Sequence, residues 1–401
     1  MDLDTFRWLL TEPGQALLAE AEAGDLGEAA QLRELTRLRR LATPERAAAA
    51  YEQALLRRRA AAKFGQASAL YFVREALEQA SGEQIAAYRA QRYAGRAELA
   101  DLCCGIGGDA LALARVGRVL AVDRDELRLA IAEANARALG LAERMTFVQA
   151  DVEQLETPAA DGIFFDPARR SDGRRVFALA DYRPPVDLVG RWLARVPAIG
   201  VKLAPGVADD EVAALGARIG RPALETEFIS LDGELKEATL WFGPLAGAER
   251  RATLLHTDAS QPIATIDDLG APSAPLSEPL AYLFEPDPAV IRAHLVAGLA
   301  QRIGAAQLDR QIAYLTGDDL IPTPFARCWR VLEWLPFSLK RLRARLRALE
   351  AGPVTVKKRG SPLDTDALAR RLSGDGARAL VVVLTNVADR PAVLICEGPI
   401  G

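Results

Sequence analysis

Four aspartates each follow an apolar segment of the chain, and their spacing suggests a site for a small polar ligand. The residues are Asp101, Asp123, Asp151 and Asp166. If each segment is a strand of one parallel sheet, the carboxylates meet at one edge, where such sheets bind ligands. Any one of them could instead cap a helix or lie in a solvated loop. Four acids at successive strand ends are hard to attribute to capping alone.

A glycine-containing stretch follows the first of these segments and opens a predicted helix. It reads Asp101-Leu-Cys-Cys-Gly105-Ile-Gly107-Gly108-Asp109. Glycines let the backbone approach a ligand closely, and a helix N-terminus offers free N–H donors. With Ala110 the stretch also fits the G-x-G-x-x-A pattern of NAD-binding folds. A dehydrogenase therefore stays open at this point.

The other three aspartates add chemistry to this turn. Asp123 lies sixteen residues after Gly107 and could accept hydrogen bonds from both hydroxyls of a ribose. Asp151 could accept from the exocyclic amine of an adenine. Asp166 is followed by Pro167 at the end of a central strand, where it would face the ligand crevice.

The elements that must position these residues follow from the alternation of apolar β-type runs with helical stretches. Strands are predicted at 98–103, 119–122, 145–149, 162–166 and 199–203, and helices at 109–116, 124–139 and 186–195. Strands joined by helical crossovers indicate a doubly wound parallel sheet. The segments 226–231 and 236–242, joined by Asp232-Gly233, predict a terminal hairpin. We assign this α/β core to residues 96–245.

The regions on either side of the core differ in composition. Residues 1–95 are rich in Ala, Leu, Arg and Glu and predict helices, with a start at Thr43-Pro44 and a capping box at 81–84. A basic cluster at Arg57, Arg58, Arg59 and Lys63 fits a solvated helix face better than a nucleic-acid contact. Residues 246–280 are dense in Pro, Ala, Ser and Asp and predict a linker that could hold short strands, such as one at 252–255.

Residues 281–401 predict a second folded α+β domain. Its expected helices are 338–350 and 365–373, packed on one side of strands at 354–358, 379–385 and 392–396. Between residues 321 and 371 there are twelve Lys and Arg but four Asp and Glu, in a chain whose net charge is −4. A concentrated basic face of this kind suits contacts to backbone phosphates.

Composition excludes several classes of protein. Four cysteines in 401 residues do not make a disulfide framework, and the presence of two histidines argues against a His-based metal site or a His base. No segment predicts a membrane span or a secretory signal. We therefore expect a cytoplasmic protein without a metal or a membrane partner. The sequence contains no signal for the number of subunits.

In these motifs the chain resembles the class I S-adenosyl-L-methionine (SAM)-dependent methyltransferases. The D-x-x-C-G-x-G-G turn is similar to that of RNA methyltransferases and the trimethylguanosine-synthase-like group, over about residues 80–245. The C-terminal part resembles the THUMP-like domain that follows such cores, through Tyr282-Leu-Phe-Glu-Pro-Asp-Pro, Pro322-Thr-Pro-Phe325 and Val356-Lys-Lys-Arg-Gly360. The resemblance implies a Rossmann-like core with a seven-stranded sheet.

The resemblance also implies roles for individual residues. Around the cofactor it places Asp101, Cys104, Gly105, Gly107, Gly108, Asp109, Asp123, Arg124, Asp151 and Val152. Asp166 and Pro167 would be the catalytic pair that faces the methyl acceptor. Because the sulfonium of SAM is already an activated methyl donor, the protein needs chiefly to align the acceptor and exclude water.

Two positions depart from the family pattern. Cys103 replaces the first glycine of the usual D-x-G-x-G-x-G motif, a position that also varies in related RNA enzymes. After Asp166-Pro167 the chain continues Ala168-Arg169, where amine methylases have a second proline and an aromatic residue. An arginine there favours a phosphate or carboxylate near the acceptor.

We expect RNA as the substrate, through a tRNA or rRNA base. The candidate substrate-binding residues are Arg169, Arg170, Lys202, Lys340, Lys357, Lys358 and Arg359. Lys202 could equally pair with Asp166. The alternatives are a methyltransferase of proteins or small molecules and a protein that binds SAM or RNA without catalysis.

Overall fold

The computed structural model describes residues 1–169, 178–220, 224–268, 273–359 and 364–400. The chain divides into two compact units. The first unit contains Met1–Glu225 and Ala238–Gly247, and the second contains Thr226–Glu237 and Ala248–Gly401. The candidate cofactor and acceptor residues all belong to the first unit.

Six helices precede the first strand, as the composition of this region predicts. They are α1 (Leu3–Leu9), α2 (Glu12–Glu22), α3 (Gln31–Leu38), α4 (Pro44–Ala60), α5 (Arg74–Gln79) and α6 (Glu83–Gln91). The predicted start of α4 is confirmed, because the Thr43 side chain accepts a hydrogen bond from the Arg46 N–H. The apolar side chains of α1 to α5 share one core with Ile106 and Ile131, so these five helices pack directly against the glycine turn.

The predicted capping box at the start of α6 is wrong. Gly82 is the N-cap of this helix, and no side chain caps it. The Ser81 hydroxyl instead accepts a hydrogen bond from Arg89 at 2.9 Å. The Ser81 hydroxyl, which the sequence pattern assigns to the cap of α6, therefore binds the buried Arg89 instead.

The first unit contains the predicted parallel sheet. Its strands are β1 (Glu98–Leu102), β2 (Arg118–Asp123), β3 (Met145–Gln149), β4 (Gly162–Phe165), β7 (Ile199–Leu203) and the end of β9 (Glu234–Phe242), with the short pair β5 (Ala168–Arg169) and β6 (Tyr182–Arg183) outside it. The strand order is β9-β7-β4-β1-β2-β3, and only β9 runs antiparallel to its neighbour. The connecting helices are α7 (Gly108–Leu113), α8 (Glu126–Ala138), α9 (Leu188–Trp192) and α10 (Asp209–Arg218).

The predicted linker at 246–280 contains two strands. β10 (Arg250–Leu255) pairs in parallel with β8 (Glu225–Leu231), and β11 (Ala264–Asp267) pairs antiparallel with β10. The seven strands expected for the core are present in the order β8-β9-β7-β4-β1-β2-β3, and β10 and β11 are two further strands beyond β8. β10 confirms the short strand that the sequence indicates at 252–255, and Ala252, Thr253, Leu254 and Leu255 are all buried.

The second unit also contains a seven-stranded sheet. Its strands are β12 (Tyr282–Pro286), β13 (Ala306–Gln307), β14 (Leu315–Gly317), β15 (Ala326–Pro336), β16 (Ala351–Lys358), β17 (Arg378–Val387) and β18 (Arg390–Ile400), in the order β13-β14-β12-β15-β18-β17-β16. Its helices are α11 (Pro288–Arg292), α12 (Val296–Arg302), α13 (Leu339–Ala348) and α14 (Thr365–Leu372). Short 3-10 helices elsewhere in the chain are Glu28–Ala30, Ala67–Ala69, Ala142–Arg144, Leu179–Asp181 and Gly243–Leu245.

The predicted packing of two helices on one side of this sheet is confirmed. Leu342 and Leu346 of α13 and Leu368 and Leu372 of α14 share a core with inward-facing residues of β16, β17 and β18. The opposite face of the same strands packs in a separate core that includes Trp329. Within the described ranges, no helix has the length and apolar character needed to cross a membrane.

Candidate active site

The turn after β1 depends on backbone conformations that few residue types adopt. Cys103, Gly105 and Gly107 have φ values of 69°, 55° and 91°. A Cβ on Gly107 would lie 3.2 Å from the Cβ of Ala132 in α8, so glycine is needed there for close packing as well. Cys103 occupies the left-handed region without being glycine, which explains why glycine is usual at that motif position.

Asp123 at the end of β2 holds this turn in place. Its Oδ2 accepts a 2.8 Å hydrogen bond from the Gly105 N–H, and its Oδ1 accepts a 2.9 Å bond from the Asp125 N–H. The side chain is largely buried. Asp123, the residue predicted to bind a ribose, thus directly contacts the glycine turn.

Asp101 at the end of β1 is a buried acid without a partner. It is 1% exposed, and within the part of the chain that the structure describes neither carboxyl oxygen has a hydrogen-bond partner. Burial raises the pKa of Asp101 well above its ordinary value, and the nearby charges of Asp109 and Asp166 raise it further. An unsatisfied buried acid is costly, and a donor from a bound ligand would remove that cost.

Asp109 at the start of α7 has a charged partner that the sequence did not predict. Its carboxylate forms an ion pair with Arg89, whose guanidinium also lies 4.8 Å above the ring of Phe164. Both charged groups are buried. This ion pair anchors α6 to the turn, and the cofactor contact expected for Asp109 stays a prediction.

Asp151, the third of the predicted acids, lies in a loop whose carbonyls are bound by Arg191. Asp151 follows β3, and its Oδ1 accepts from the Glu153 N–H at 3.0 Å. Arg191 of α9 donates to the carbonyls of Val152 and Glu153 at 2.8 and 2.9 Å. Val152 is buried, whereas Arg124 is exposed. The sequence carries no local signal for Arg191.

At the fourth position, Asp166 lies beside Lys202. The Lys202 Nζ donates to the Asp166 Oδ2 at 2.6 Å and to the Gln79 carbonyl at 3.3 Å. Burial raises the pKa of Asp166, and the ammonium of Lys202 opposes that rise. The sequence left open whether Lys202 binds substrate or pairs with Asp166, and the structure shows the pair with Asp166.

The segment after Asp166-Pro167 continues into β5, whose Arg169 pairs through its backbone with Tyr182 of β6. The Tyr182 hydroxyl accepts a 2.7 Å hydrogen bond from the Ala204 N–H, which connects this pair to the end of β7. Arg170, another candidate substrate-binding residue, lies outside the described residues.

A buried asparagine joins the N-terminal helices to the turn. Asn135 of α8 donates to the carbonyls of Tyr71 and Ile106 at 3.0 and 3.1 Å, and it accepts from the Tyr71 N–H at 2.7 Å. Sequence reasoning missed this residue, because a single asparagine in a predicted helix has no distinctive spacing.

The N-terminal basic cluster contributes partly to packing. Arg57 is buried, donates to the Leu70 carbonyl at 2.8 Å and pairs with Glu22 at 2.9 Å. Lys63 donates to the carbonyls at the end of α5. These contacts favour the structural interpretation of the cluster over a nucleic-acid contact.

The candidate substrate-binding residues of the second unit do not form one surface. Lys340 is exposed on α13. Lys357 lies 2.7 Å from a carboxylate oxygen of Glu285 and 4.8 Å from the centre of the Trp329 ring, and Arg359 lies 3.6 Å from the other oxygen of Glu285. Lys357 and Arg359 thus lie on the face of the sheet opposite α13, and Glu285 compensates their charge. Lys358 is exposed at the end of β16.

Comparisons with known proteins agree with this architecture. Residues 99–167 match a family model described as a methyltransferase domain, and residues 326–398 match a THUMP domain-like model. Residues 2–60 match a domain of unknown function. Two relatives, from the CDC 1551 and H37Rv strains of Mycobacterium tuberculosis, are each described as an uncharacterized S-adenosylmethionine-dependent methyltransferase. Each is 41% identical over 346 residues, which is 84% of this chain and 92% of the relative.

A solved structure from Porphyromonas gingivalis W83, assigned to the methyltransferases, shares the fold. It matches with a TM-score of 0.73 at 22% identity, over 98% of this chain and 97% of that chain. The strand order, the glycine turn and the acids at the strand ends define a Rossmann-like methyltransferase core followed by a THUMP-like domain. The chain belongs to the S-adenosylmethionine-dependent methyltransferases, and its cofactor is S-adenosylmethionine.

The residues of the turn fit this cofactor. The partnerless carboxyl of Asp101 can receive a cationic donor, and the turn at Gly105 and Gly107 leaves its backbone free of side chains. Within the described residues, no group of three or more His, Cys, Asp or Glu side chains is arranged to hold a metal ion.

Proposed function

We propose that this methyltransferase acts on RNA, through a base of a tRNA or rRNA. The observation that carries the proposal is the exposed basic surface of the second unit. This surface, which we call the helical basic face, consists of Lys340, Arg341, Arg347, Arg370 and Arg371 on α13 and α14. No salt bridge occupies any of them in the described parts of the chain. Unpaired cations on one face are what phosphate contacts need.

The helical basic face differs from the other basic residues of the same unit. Arg345 on α13 is paired with Glu333 at 2.7 Å, and Lys357 with Glu285. A paired cation gains less from a phosphate, because its partner must first be given up. We therefore assign RNA contact to the helical basic face, and we propose that Lys357 and Arg359 mainly stabilise the sheet.

The proposed cofactor site uses the acids at the strand ends. We place Asp101, Cys104, Gly105, Gly107 and Gly108 around the methionine and ribose end of S-adenosylmethionine. Asp123 and Arg124 would lie at the ribose, and Asp151 and Val152 at the adenine. Bound in this way, the cofactor supplies an activated methyl group on its sulfonium.

The proposed acceptor site is formed by Asp166 and Pro167. In the described part of the chain, the Asp166 Oδ2 is taken by Lys202, and its Oδ1 has no hydrogen-bond partner. That oxygen and the Pro167 carbonyl can each accept an N–H of an exocyclic amine, which aims the nitrogen lone pair at the methyl group. Arg169 and Arg170 follow directly and would meet a neighbouring phosphate.

Methyl transfer to total bacterial RNA tests the proposal. The purified chain is incubated with S-adenosylmethionine that carries a labelled methyl group, and the RNA is digested to locate the label. We expect label in one modified nucleoside. Label on protein or on small molecules alone would overturn the RNA assignment and support the corresponding alternative.

A charge-neutralised variant tests the helical basic face. In Lys340→Gln/Arg341→Gln/Arg347→Gln we expect RNA affinity to fall and its dependence on salt to weaken, by about 0.7–0.9 in logarithmic slope for each lost phosphate contact. The matched control removes three exposed arginines of the first unit, Arg39→Gln/Arg40→Gln/Arg59→Gln. Equal losses in both triple variants would contradict a specific face.

A further inference from the structure

We propose that Lys202 is a positioning residue for methyl transfer. Its ammonium keeps the Asp166 carboxylate ionised and determines which carboxylate oxygen accepts a hydrogen bond from the methyl acceptor. This inference rests on the proposed function in one respect, the placement of the acceptor at Asp166.

The register of the sheet brings the two residues together. β4 and β7 are parallel neighbours, with Phe165 opposite Val201, so Asp166 and Lys202 follow as the next pair at the carboxyl ends of these strands. The Lys202 side chain is 13% exposed, and its Nζ lies 2.6 Å from the Asp166 Oδ2. Because this contact uses Oδ2, the other oxygen, Oδ1, stays available to a methyl acceptor.

A second contact prevents the lysine from turning away. The Lys202 Nζ also donates to the Gln79 carbonyl at 3.3 Å, at the last residue of α5. The end of α5 is itself fixed, because the Lys63 Nζ donates to the carbonyls of Leu77, Glu78 and Ala80 at 2.8, 3.2 and 3.1 Å. The end of α5 therefore positions the Lys202 ammonium, and the ammonium in turn positions the Asp166 carboxylate.

The surroundings of Asp166 would otherwise favour its protonated form. Burial raises the pKa of Asp166, the charge of Asp109 adds to the rise, and Lys202 and Arg89 lower it. Asp101 and the Cys103 thiol also face this carboxyl. Lys202 is the largest opposing influence and the one that touches the carboxylate. An ionised carboxylate accepts hydrogen bonds on both oxygens, whereas a protonated one carries an O–H donor on one of them.

Two substitutions separate charge from packing. Lys202→Met keeps the length of the side chain and removes the ammonium, whereas Lys202→Arg keeps a cation beside Asp166. The matched control is Lys236→Met, which removes an equally short contact to Glu234 at 2.6 Å in an exposed hairpin. Neither Lys236 nor Glu234 belongs to the proposed site.

The titration of Asp166 is measured by NMR on the full chain with carbon-13 at the aspartate carboxyl carbons. The signal of Asp166 is the one that Asp166→Asn removes. We expect its pKa to rise by about 1–3 units in Lys202→Met, because an adjacent opposite charge lowers a carboxyl pKa by that amount. Lys202→Arg should restore most of the difference, and Lys236→Met should leave the titration unchanged.

The pH profile of RNA methylation gives the second measurement. The acidic limb of kcat/KM should move to higher pH by the same shift in Lys202→Met, and Lys202→Arg should return it towards the wild type. An Asp166 titration that is identical in Lys202→Met and the wild type overturns the inference. If the wild type methylates no RNA, the proposed function fails, while the NMR titration still decides the role of Lys202.

Discussion

The Gly105 N–H donates a 2.8 Å hydrogen bond to the Asp123 Oδ2, so the acid at the end of β2 directly holds the glycine turn that follows β1. The Asp123 Oδ1 accepts from the Asp125 N–H, at the N-cap of α8. One carboxylate thus orders two backbone segments, and each segment borders the proposed ribose position.

Asp123→Ala should weaken the binding of S-adenosylmethionine by about 1–3 kcal/mol, because it removes a buried charged acceptor and releases the turn. Calorimetric titration of the cofactor measures the loss. The control is Asp125→Ala, which removes the helix cap formed by the Asp125 Oδ1 and the Arg128 N–H but leaves the turn intact. Cofactor affinity that is unchanged in Asp123→Ala would contradict the placement of the ribose.

Asp101→Asn should change how stability depends on pH. The pKa of Asp101 is raised in the folded chain, so the folded state binds a proton more tightly than the unfolded state does. In the wild type this group therefore lowers the free energy of unfolding as the pH rises above about 4, by about 1.4 kcal/mol for each unit of raised pKa.

The asparagine variant lacks that titration. Its melting temperature should match the wild type near pH 4 and exceed it increasingly towards neutral pH, as measured by thermal unfolding without cofactor. Its affinity for S-adenosylmethionine should fall, because the charged acceptor is gone. A difference in melting temperature that is the same at every pH would disprove the proposed cause.

Substitutions at Cys103 should follow backbone strain rather than side-chain size. Glycine adopts the observed φ of 69° without penalty, so Cys103→Gly should stay within about 1 kcal/mol of the wild type. Cys103→Val places a β-branched residue in the left-handed region and should cost about 1–3 kcal/mol.

Urea unfolding measures both variants. Cys396→Val is the matched control, since Cys396 is buried in the extended strand β18. If valine is tolerated equally at both positions, the left-handed backbone is not what limits the residue type at Cys103.

Arg191→Met should loosen the loop at the proposed adenine site. Three carbonyls, those of Val152, Glu153 and Leu155, lose their donor. We expect weaker cofactor binding with little change in the melting temperature of the cofactor-free chain, because Arg191 is exposed. Arg195→Met, one turn further along the chain, is the control, and a titration that gives both variants the same affinity would refute this role.

Local patterns were sufficient for the strands that position the site. β3 and β7 have the limits that the sequence predicts, because short apolar runs between polar segments define a strand without reference to the rest of the chain. α10 and β12 to β15 were not predicted. In β15 the burial does not alternate along the strand, so the usual period of two is lost.

The partners of the site residues could not be predicted, because they come from distant parts of the chain. Arg89, Asn135 and Arg191 meet their partners only after the helices pack on the sheet. The same holds for Glu285, which lies far upstream of Lys357 in the sequence. Its ion pair with Lys357 means that this lysine is not one of the unpaired cations that the sequence predicted. Composition shows the excess of charge in a segment, but it cannot show which cations are already paired.

The hydrogen bonds of Asn135 to both Tyr71 and Ile106 have a consequence for natural variation in this protein. A change in the N-terminal helices can be transmitted to the cofactor turn through one amide, without any alteration of the methyltransferase motif itself. Sequence differences in that first segment are therefore expected to alter cofactor affinity, although they lie outside the cofactor site.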